Sequence, residues 1–289
     1  MKKDSATRSL HKPVVHRLAG ALGAEISGVD LADPLDDESF AEIHAALLEH
    51  LVIFFRDQDL TPEQHIAFGK RFGKLHIHPY IPNLEGYPEI IKLQSADDGP
   101  GPMAYQSNTW HTDLTYSAEP PMASILYGVV VPEAGGDTMW NNLYAAYEGL
   151  SPRMRTFVDG LTAVHNIVTS MPADFMEQDR APDQLKRLQD VTPPVEHPVV
   201  RTHPETGRRC LFVNRNFTSH VKELSRFESD RLLALLYEHI EQPEHVVRFH
   251  WRAGSLAMWD NRCTQHYALT DYRSLRVMHR VTVCGDRPA

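Results

Sequence analysis

An α+β fold built on a rolled antiparallel sheet is the architecture this sequence predicts. Two observations carry it. Many short runs rich in β-branched and aromatic residues fill the middle and end of the chain, and helical patterns concentrate at its ends and in insertions. With 289 residues, 42% hydrophobic and 23% charged, the chain can bury a substantial core. No composition shift divides it, so residues 16–289 are expected to form one domain behind a loose tail at 1–15, with loop or lid insertions near 95–107 and 170–195.

The elements follow in order. Ala21 to Val29 reads as a short strand with glycine turns, and Asp36 to His50 as a helix with Phe40, Ile43 and Leu47 on one face. Leu51 to Phe55 is a continuous apolar run, long enough for a buried strand and too short for a helix. Thr61-Pro-Glu-Gln64 is a capping box with proline at the first helical position, opening a helix that stops at Gly73. Strands are expected at Glu89–Leu93, Ala123–Val131, Asp137–Trp140 and Leu161–His165, with helices near Leu143–Leu150 and after Ser151-Pro152. Pro198–His203 and Cys210–Asn214 form a hairpin around Glu205-Thr-Gly207, and Ser225-Arg-Phe-Glu228 caps a leucine-rich helix. Val246–Trp251, Ser255–Trp259 and Arg276–Val283 close the list of strands.

Charge and cysteine usage exclude several classes. A formal net charge of −9 argues against nucleic acid or an anionic membrane as partner. Any anion site must therefore be local, built from a few arginines. Three widely spaced cysteines give no disulfide framework, no signal peptide is visible, and no apolar run reaches the ~18 residues of a membrane span. A soluble cytoplasmic protein is the expectation.

Two segments carry chemistry. On the last strand, Val277, Val281 and Val283 share a face with His279, while Arg276, Met278, Arg280 and Thr282 share the other. If the valine face packs against apolar layers, both arginines point into one interior, about 13 Å apart at ~3.3 Å per residue. A buried guanidinium is costly unless it meets an anion, so the spacing suits two anions or two ends of one site. The second segment is Trp110-His-Thr-Asp-Leu114. Read as a strand, it points His111 and Asp113 the same way, and with the distant His266 they make two histidines and one carboxylate, the donor set of non-haem Fe(II) oxygenases. His76-Ile-His78 has zinc-like spacing, and His203-Pro-Glu205 copies the histidine–carboxylate pattern but lies in a turn. Those residues alone leave open a zinc-type metal hydrolase on His76, His78, His111 and Asp113, or a non-catalytic binding protein.

His111-Thr-Asp113, Gly135-Gly-Asp-Thr138 and Trp259-Asp-Asn-Arg262, followed by His266, Arg276, Arg280 and Gly285-Asp286, resemble the taurine dioxygenase family of Fe(II)/2-oxoglutarate-dependent dioxygenases. Phe72-Gly-Lys-Leu-His-Ile-His78-Pro and His197-Pro-Val-Val-Arg-Thr-His203-Pro extend the resemblance over nearly the whole chain from about residue 17. It implies a double-stranded β-helix (jelly-roll) core flanked by helices. It implies that His111, Asp113 and His266 hold Fe(II), and that Arg276, assisted by Thr138, pairs with the distal carboxylate of 2-oxoglutarate. Arg280, His78 and the backbone N–H of Leu114 would face the anionic group of a small organic substrate, and Phe217 would line its cavity. The implied reaction consumes 2-oxoglutarate and O₂, releases succinate and CO₂, and hydroxylates the substrate beside its anionic group. Where that group is a sulfonate or sulfate, an aldehyde and sulfite or sulfate result. Relatives of this kind commonly form dimers or tetramers, so a homo-oligomer is expected.

Substrate contacts depart from the family pattern. Ile81 stands where a tyrosine is usual in that family, Ser107 where an asparagine is usual, with Asn108 next to it as an alternative, and Ile167 where an aromatic is usual. Each lost hydrogen bond costs on the order of 1 kcal/mol, and isoleucines suit an alkyl or aryl chain better than a small zwitterion. The expected substrate is a sulfonate or sulfate ester other than taurine, with a carboxylate such as an aryloxyalkanoate as the alternative.

Overall fold

The computed structural model describes residues 12–78, 81–96, 99, 108–171 and 181–289. Residues 1–11, Ser107, most of the insertion expected at 95–107, and 172–180 within the second insertion lie outside the described residues.

Regular structure starts earlier than the sequence suggests. Val14 and Val15, expected in the tail, open β1 (Val14–Arg17), which pairs antiparallel with β2 (Ala24–Ser27). Asp36 caps α1 (Asp37–His50) by accepting from the Ser39 N–H, and the acidic first turn suits the helix dipole. Ile43 and Leu47 are buried as expected, and Leu51, at φ 66°, turns the chain into β3 (Val52–Phe55). Thr61 and Gln64 form the predicted capping box of α2 (Pro62–Lys70).

The chain continues through β4 (Asn83–Leu84), β5 (Tyr87–Gln94), β6 (Ala123–Val130) and β7 (Thr138–Asn142), then α3 (Leu143–Gly149), α4 (Pro152–Val158) and β8 (Thr162–His165). Next come α5 (Ala181–Val191), β9 (Val195–Pro198), the hairpin β10 (Val200–Thr202) and β11 (Arg209–Leu211), β12 (Thr218–Val221) and α6 (Arg226–Ile240). Finally β13 (Val246–Phe249), β14 (Leu256–Asp260), β15 (Thr264–Ala268) and β16 (Val277–Val283) complete it. The 170–195 segment is therefore not wholly irregular, since it contains α5 and the first residue of β9. Neither β9 nor β12 is foreseen by the sequence reading, because Glu196-His-Pro198 and Thr218-Ser-His220 are polar and gain their order from β8, which lies between them.

Among the described residues, the large sheet runs β1-β2-β3-β14-β6-β16-β5-β4, and smaller sheets run β13-β7-β15 and β12-β8-β9. Side chains of the large sheet alternate between two cores. Val52, Phe54, Leu126, Ala257, Trp259 and Met278 join Trp140, Val247, Phe249 and Val221 of the smaller sheets in one cluster. Ile53, Phe55, Ile125, Met258, Val281 and Val283 join Ile43, Leu47, Ile66 and Phe68 of α1 and α2 in the other. Both faces of these strands are covered, which is why the sequence shows continuous apolar runs where a half-exposed strand would alternate. The inner face, between sheets, is also the face that carries Arg276 and Arg280.

Candidate active site

β14 ends in the large sheet and β15 begins in a small one, so Trp259–His266 spans the corner where the roll closes. That corner is pinned by ionic contacts. Asp260 accepts from Arg262 Nε at 2.9 Å and Nη2 at 2.6 Å, and from His203 Nε2 at 3.0 Å, while Arg262 Nη1 reaches Glu205 at 2.7 Å. His203 Nδ1 accepts the N–H groups of Glu205 and Thr206. His203, Asp260 and Cys263 lie close enough to resemble a metal cluster. Their donor atoms are spent on one another and on Arg262, so the cluster is structural.

His266 faces His111 directly. Reciprocal backbone hydrogen bonds of 3.1 and 2.8 Å join the two residues, and their rings lie 4.2 Å apart. Thr112 Oγ1 donates to the Thr264 carbonyl at 2.8 Å, adding a tie between the segments. Here the structure corrects the sequence argument. His111 makes one isolated bridge and no strand follows; Asp113 lies in the turn after it, and Leu114 takes a left-handed conformation at φ 51°. Asp113 reaches the histidines because the chain turns, and strand alternation plays no part. Its Oδ1 lies 3.9 Å from Nε2 of each histidine.

The donor set suits a divalent cation. His111 Nδ1 lies 2.7 Å from the Thr109 carbonyl, so the proton sits on Nδ1 and the Nε2 lone pair is available. Burial pushes the His266 pKa down to about 3 and lowers that of His111, which keeps both rings neutral near pH 7. Burial alone would raise Asp113, but its charged neighbours, the Arg280 guanidinium first, more than offset it and hold the carboxyl well below its usual range. Two neutral imidazoles and a carboxylate therefore converge on one point. His76 and His78 stand apart from that cluster among the described residues, so the zinc-type arrangement that would use them is not formed.

A cavity of about 490 Å³ opens beside His266, lined in part by Leu93, Leu126, Thr138, Trp259, Arg276 and Arg280. Arg276 Nε makes no hydrogen bond among the described residues, and burial pulls its guanidinium below the usual value. Leaving a buried guanidinium N–H without an acceptor costs free energy, and this one lies against the cavity wall. Gly136, at φ 70°, lets the backbone approach: a Cβ there would lie 3.3 Å from Arg276 Cδ and Nε. Thr138 Oγ1 accepts a 2.9 Å hydrogen bond from Trp251 Nε1.

Arg280 Nη1 lies 3.2 Å from Asp113 Oδ1, a contact the sequence reading did not anticipate. His78 is buried, its Nδ1 accepts the Ile81 N–H at 3.0 Å, and burial lowers its pKa to about 4, so its proton rests on Nε2. Phe217 sets its ring edge-on to His111 at 6.4 Å and to Tyr116 at 5.0 Å. Of the residues singled out from the sequence, His111, Asp113 and His266 converge, Thr138, Arg276 and Arg280 line the cavity beside His266, Phe217 stands against His111, and Leu114 follows Asp113 in its turn. Two others, Trp251 and Ser124, escaped notice; Ser124 donates to Asp113 Oδ2 at 2.7 Å. The signal available was a lone polar residue on the inner-face parity of an otherwise apolar strand.

Comparison with known proteins agrees with this geometry. The chain is 41% identical over 282 residues to an alpha-ketoglutarate-dependent sulfate ester dioxygenase of Pseudomonas putida, covering 95% of this chain and 90% of that one. It is 39% identical over 280 residues to an alkylsulfatase of Acinetobacter baylyi, covering 94% and 85%. A solved taurine dioxygenase from Burkholderia xenovorans superposes with a TM-score of 0.82 at 42% identity, covering 96% of this chain and 91% of that one, so the core is the jelly roll of those enzymes. The family model for the taurine catabolism dioxygenase TauD, TfdA family matches residues 15–282. With a matching core, a matching donor set and matches over nearly its full length, the chain belongs to this family of dioxygenases that use Fe(II), 2-oxoglutarate and O₂.

Proposed function

We propose that the protein oxidises a sulfate ester at the carbon bearing the ester oxygen, giving an aldehyde and sulfate. The observation that carries this reading is the pair of arginines, Arg276 just before β16 and Arg280 on it, that line one cavity together with Thr138 and His266, Arg280 also contacting Asp113. His111, Asp113 and His266 hold Fe(II), and Arg276 with Thr138 holds the distal carboxylate of 2-oxoglutarate. Once bound, the iron and cosubstrate supply the oxidant from O₂, with succinate and CO₂ as coproducts.

The chain's own residues bind and orient the substrate. A guanidinium has five N–H donors, so the contact of Arg280 with Asp113 leaves several for an oxyanion. His78 and the Leu114 N–H would complete the anion's surroundings. Phe217, Ile81 and Ile167 supply apolar wall, which favours an alkyl or aryl chain over a zwitterion. Hydroxylating R–CH₂–OSO₃⁻ gives R–CH(OH)–OSO₃⁻, whose collapse breaks the C–O bond to sulfate and leaves R–CHO. The names of the two similar enzymes support sulfate esters over sulfonates, although the same anchors would accept a sulfonate or a carboxylate.

Succinate formation tests the reading. Anaerobic Fe(II) protein with 2-oxoglutarate is exposed to O₂ with alkyl sulfates, alkyl and aryl sulfonates, taurine and aryloxyalkanoates. Alkyl sulfates should give the highest kcat/KM, and Arg280→Ala should raise substrate KM about 100-fold while sparing the 2-oxoglutarate KM, from the cost of losing a buried charged partner. Faster turnover of taurine or a carboxylate overturns the substrate assignment.

Among the described residues no helix is long and apolar enough to cross a membrane. The reading places the enzyme in the cytoplasm, supported by three cysteines without a disulfide. It also takes the enzyme as a homo-oligomer, supported by Val14 and Val15 standing exposed on the edge strand β1.

A further inference from the structure

The two oxygens of Asp113 have different surroundings. Oδ1 faces His111 and His266, each Nε2 at 3.9 Å, and accepts from Arg280 Nη1 at 3.2 Å, whereas Oδ2 accepts from Ser124 Oγ at 2.7 Å. Behind Ser124, Asn261 Nδ2 donates to Ser124 Oγ at 3.1 Å, and Trp259 Nε1 donates to Asn261 Oδ1 at 2.9 Å. All four side chains are buried.

The direction of this relay is set at its far end. An indole N–H can only donate, so Asn261 must turn its carbonyl oxygen to Trp259 and its amide to Ser124. That amide takes a lone pair of the Ser124 oxygen, and the single hydroxyl proton is left for Asp113. Flipping the amide would set donor against donor between buried side chains. Trp259 also packs on the His266 ring at 4.8 Å, so the relay begins against β15 and ends on the carboxylate of another segment.

We propose that Ser124, oriented by Asn261 and Trp259, is a positioning residue that ties up Oδ2 and presents Oδ1 alone to the metal. The inference rests on the reading of His111, Asp113 and His266 as the metal ligands. A carboxylate released from Ser124 can turn and offer both oxygens, taking a position that 2-oxoglutarate or O₂ requires. The hydrogen bond to an ionised carboxylate is charge-assisted and short, strong enough to hold the rotamer.

Anaerobic titration of the full-length apoprotein with Co(II), followed by its visible absorption, tests this without turnover. Ser124→Ala should weaken Co(II) binding about 10–100-fold, the usual effect of removing a partner that orients a ligand, and alter the visible band. Ser124→Thr, which keeps the hydroxyl, should restore both. Ser229→Ala removes another buried serine, the 2.9 Å acceptor of the Val221 N–H, and should leave Co(II) binding unchanged. Wild-type affinity and spectrum in Ser124→Ala would overturn the inference alone, as would an equal loss in Ser229→Ala. Failure of the unsubstituted protein to bind Co(II) would overturn the metal-site reading and the inference with it.

Discussion

Trp251 governs Thr138 by the same rule that orders the Ser124 relay. Its indole N–H can only donate, so the 2.9 Å contact uses a lone pair of Thr138 Oγ1 and leaves the hydroxyl proton for the cavity beside Arg276. Replacing the indole by phenyl frees the hydroxyl to rotate, at a cost of about 1 kcal/mol in anion binding. Trp251→Phe should therefore raise the 2-oxoglutarate KM about fivefold with little change in kcat, and should add nothing further in a Thr138→Val background. A drop in kcat at constant KM would sink this account. Residue identity also explains why most of the seventeen histidines are silent. His165 and Asn214 both bond Thr115 Oγ1 at 2.9 Å, and His197 Nε2 bonds the Thr115 carbonyl at 2.9 Å. They hold the turn that follows Asp113 and bring no further donor to the metal cluster.

At the scale of elements, β16 does the most. Its outer parity packs Val281 and Val283 under α1 and α2, and its inner parity sends Arg280, with Arg276 just before the strand, into the cavity. The α2 interface carries a pH-sensitive group. His65 is buried there with its ring 6.0 Å from Tyr127, and burial pushes its pKa down to about 3. In the unfolded chain the ring protonates near 6.5. Between those values the unfolded state holds the extra proton, so stability falls as the pH drops below about 6.5, with a slope of up to about 1.4 kcal/mol per pH unit for this one group. Above that range the group has no effect. His65→Leu should shrink the loss of urea stability between pH 7.5 and pH 5; an unchanged loss would show that His65 is not its source.

For the whole molecule, stability and ligand binding are linked. The residues proposed as metal ligands sit on separate segments, His111 and Asp113 before β6 and His266 on β15, so a cation that binds all three favours the closed roll over the unfolded chain. At about 100 times Kd, a ligand specific for the native state adds about 2.7 kcal/mol. For a domain of this size that is about 5 °C in Tm. Co(II) with N-oxalylglycine should raise Tm by that amount, and a chelator should reverse it. No shift would contradict the site. Sedimentation of the same samples reads the oligomeric state, with a monomer overturning the edge-strand argument.

Much of the architecture could be read from local pattern. The capping boxes at Thr61 and Ser225, the apolar run at Leu51–Phe55 and the arginine parity of β16 all depend on neighbours a few residues apart. β9 and β12 could not, because their polar sequences are strands only where β8 supplies hydrogen-bond partners. In the site, residue types and approximate spacing named the donors His111, Asp113 and His266 and the two arginines. Their meeting was decided by tertiary structure: the His111–His266 bridge joins segments far apart in the chain, and Asp113 arrives by a turn whose left-handed Leu114 no strand pattern shows. The contacts that Ser124, Asn261 and Trp251 make belong to that second category. A hydrogen bond has a direction and a reach of about 3 Å, and sequence periodicity sets which face a side chain occupies but not which distant atom waits there.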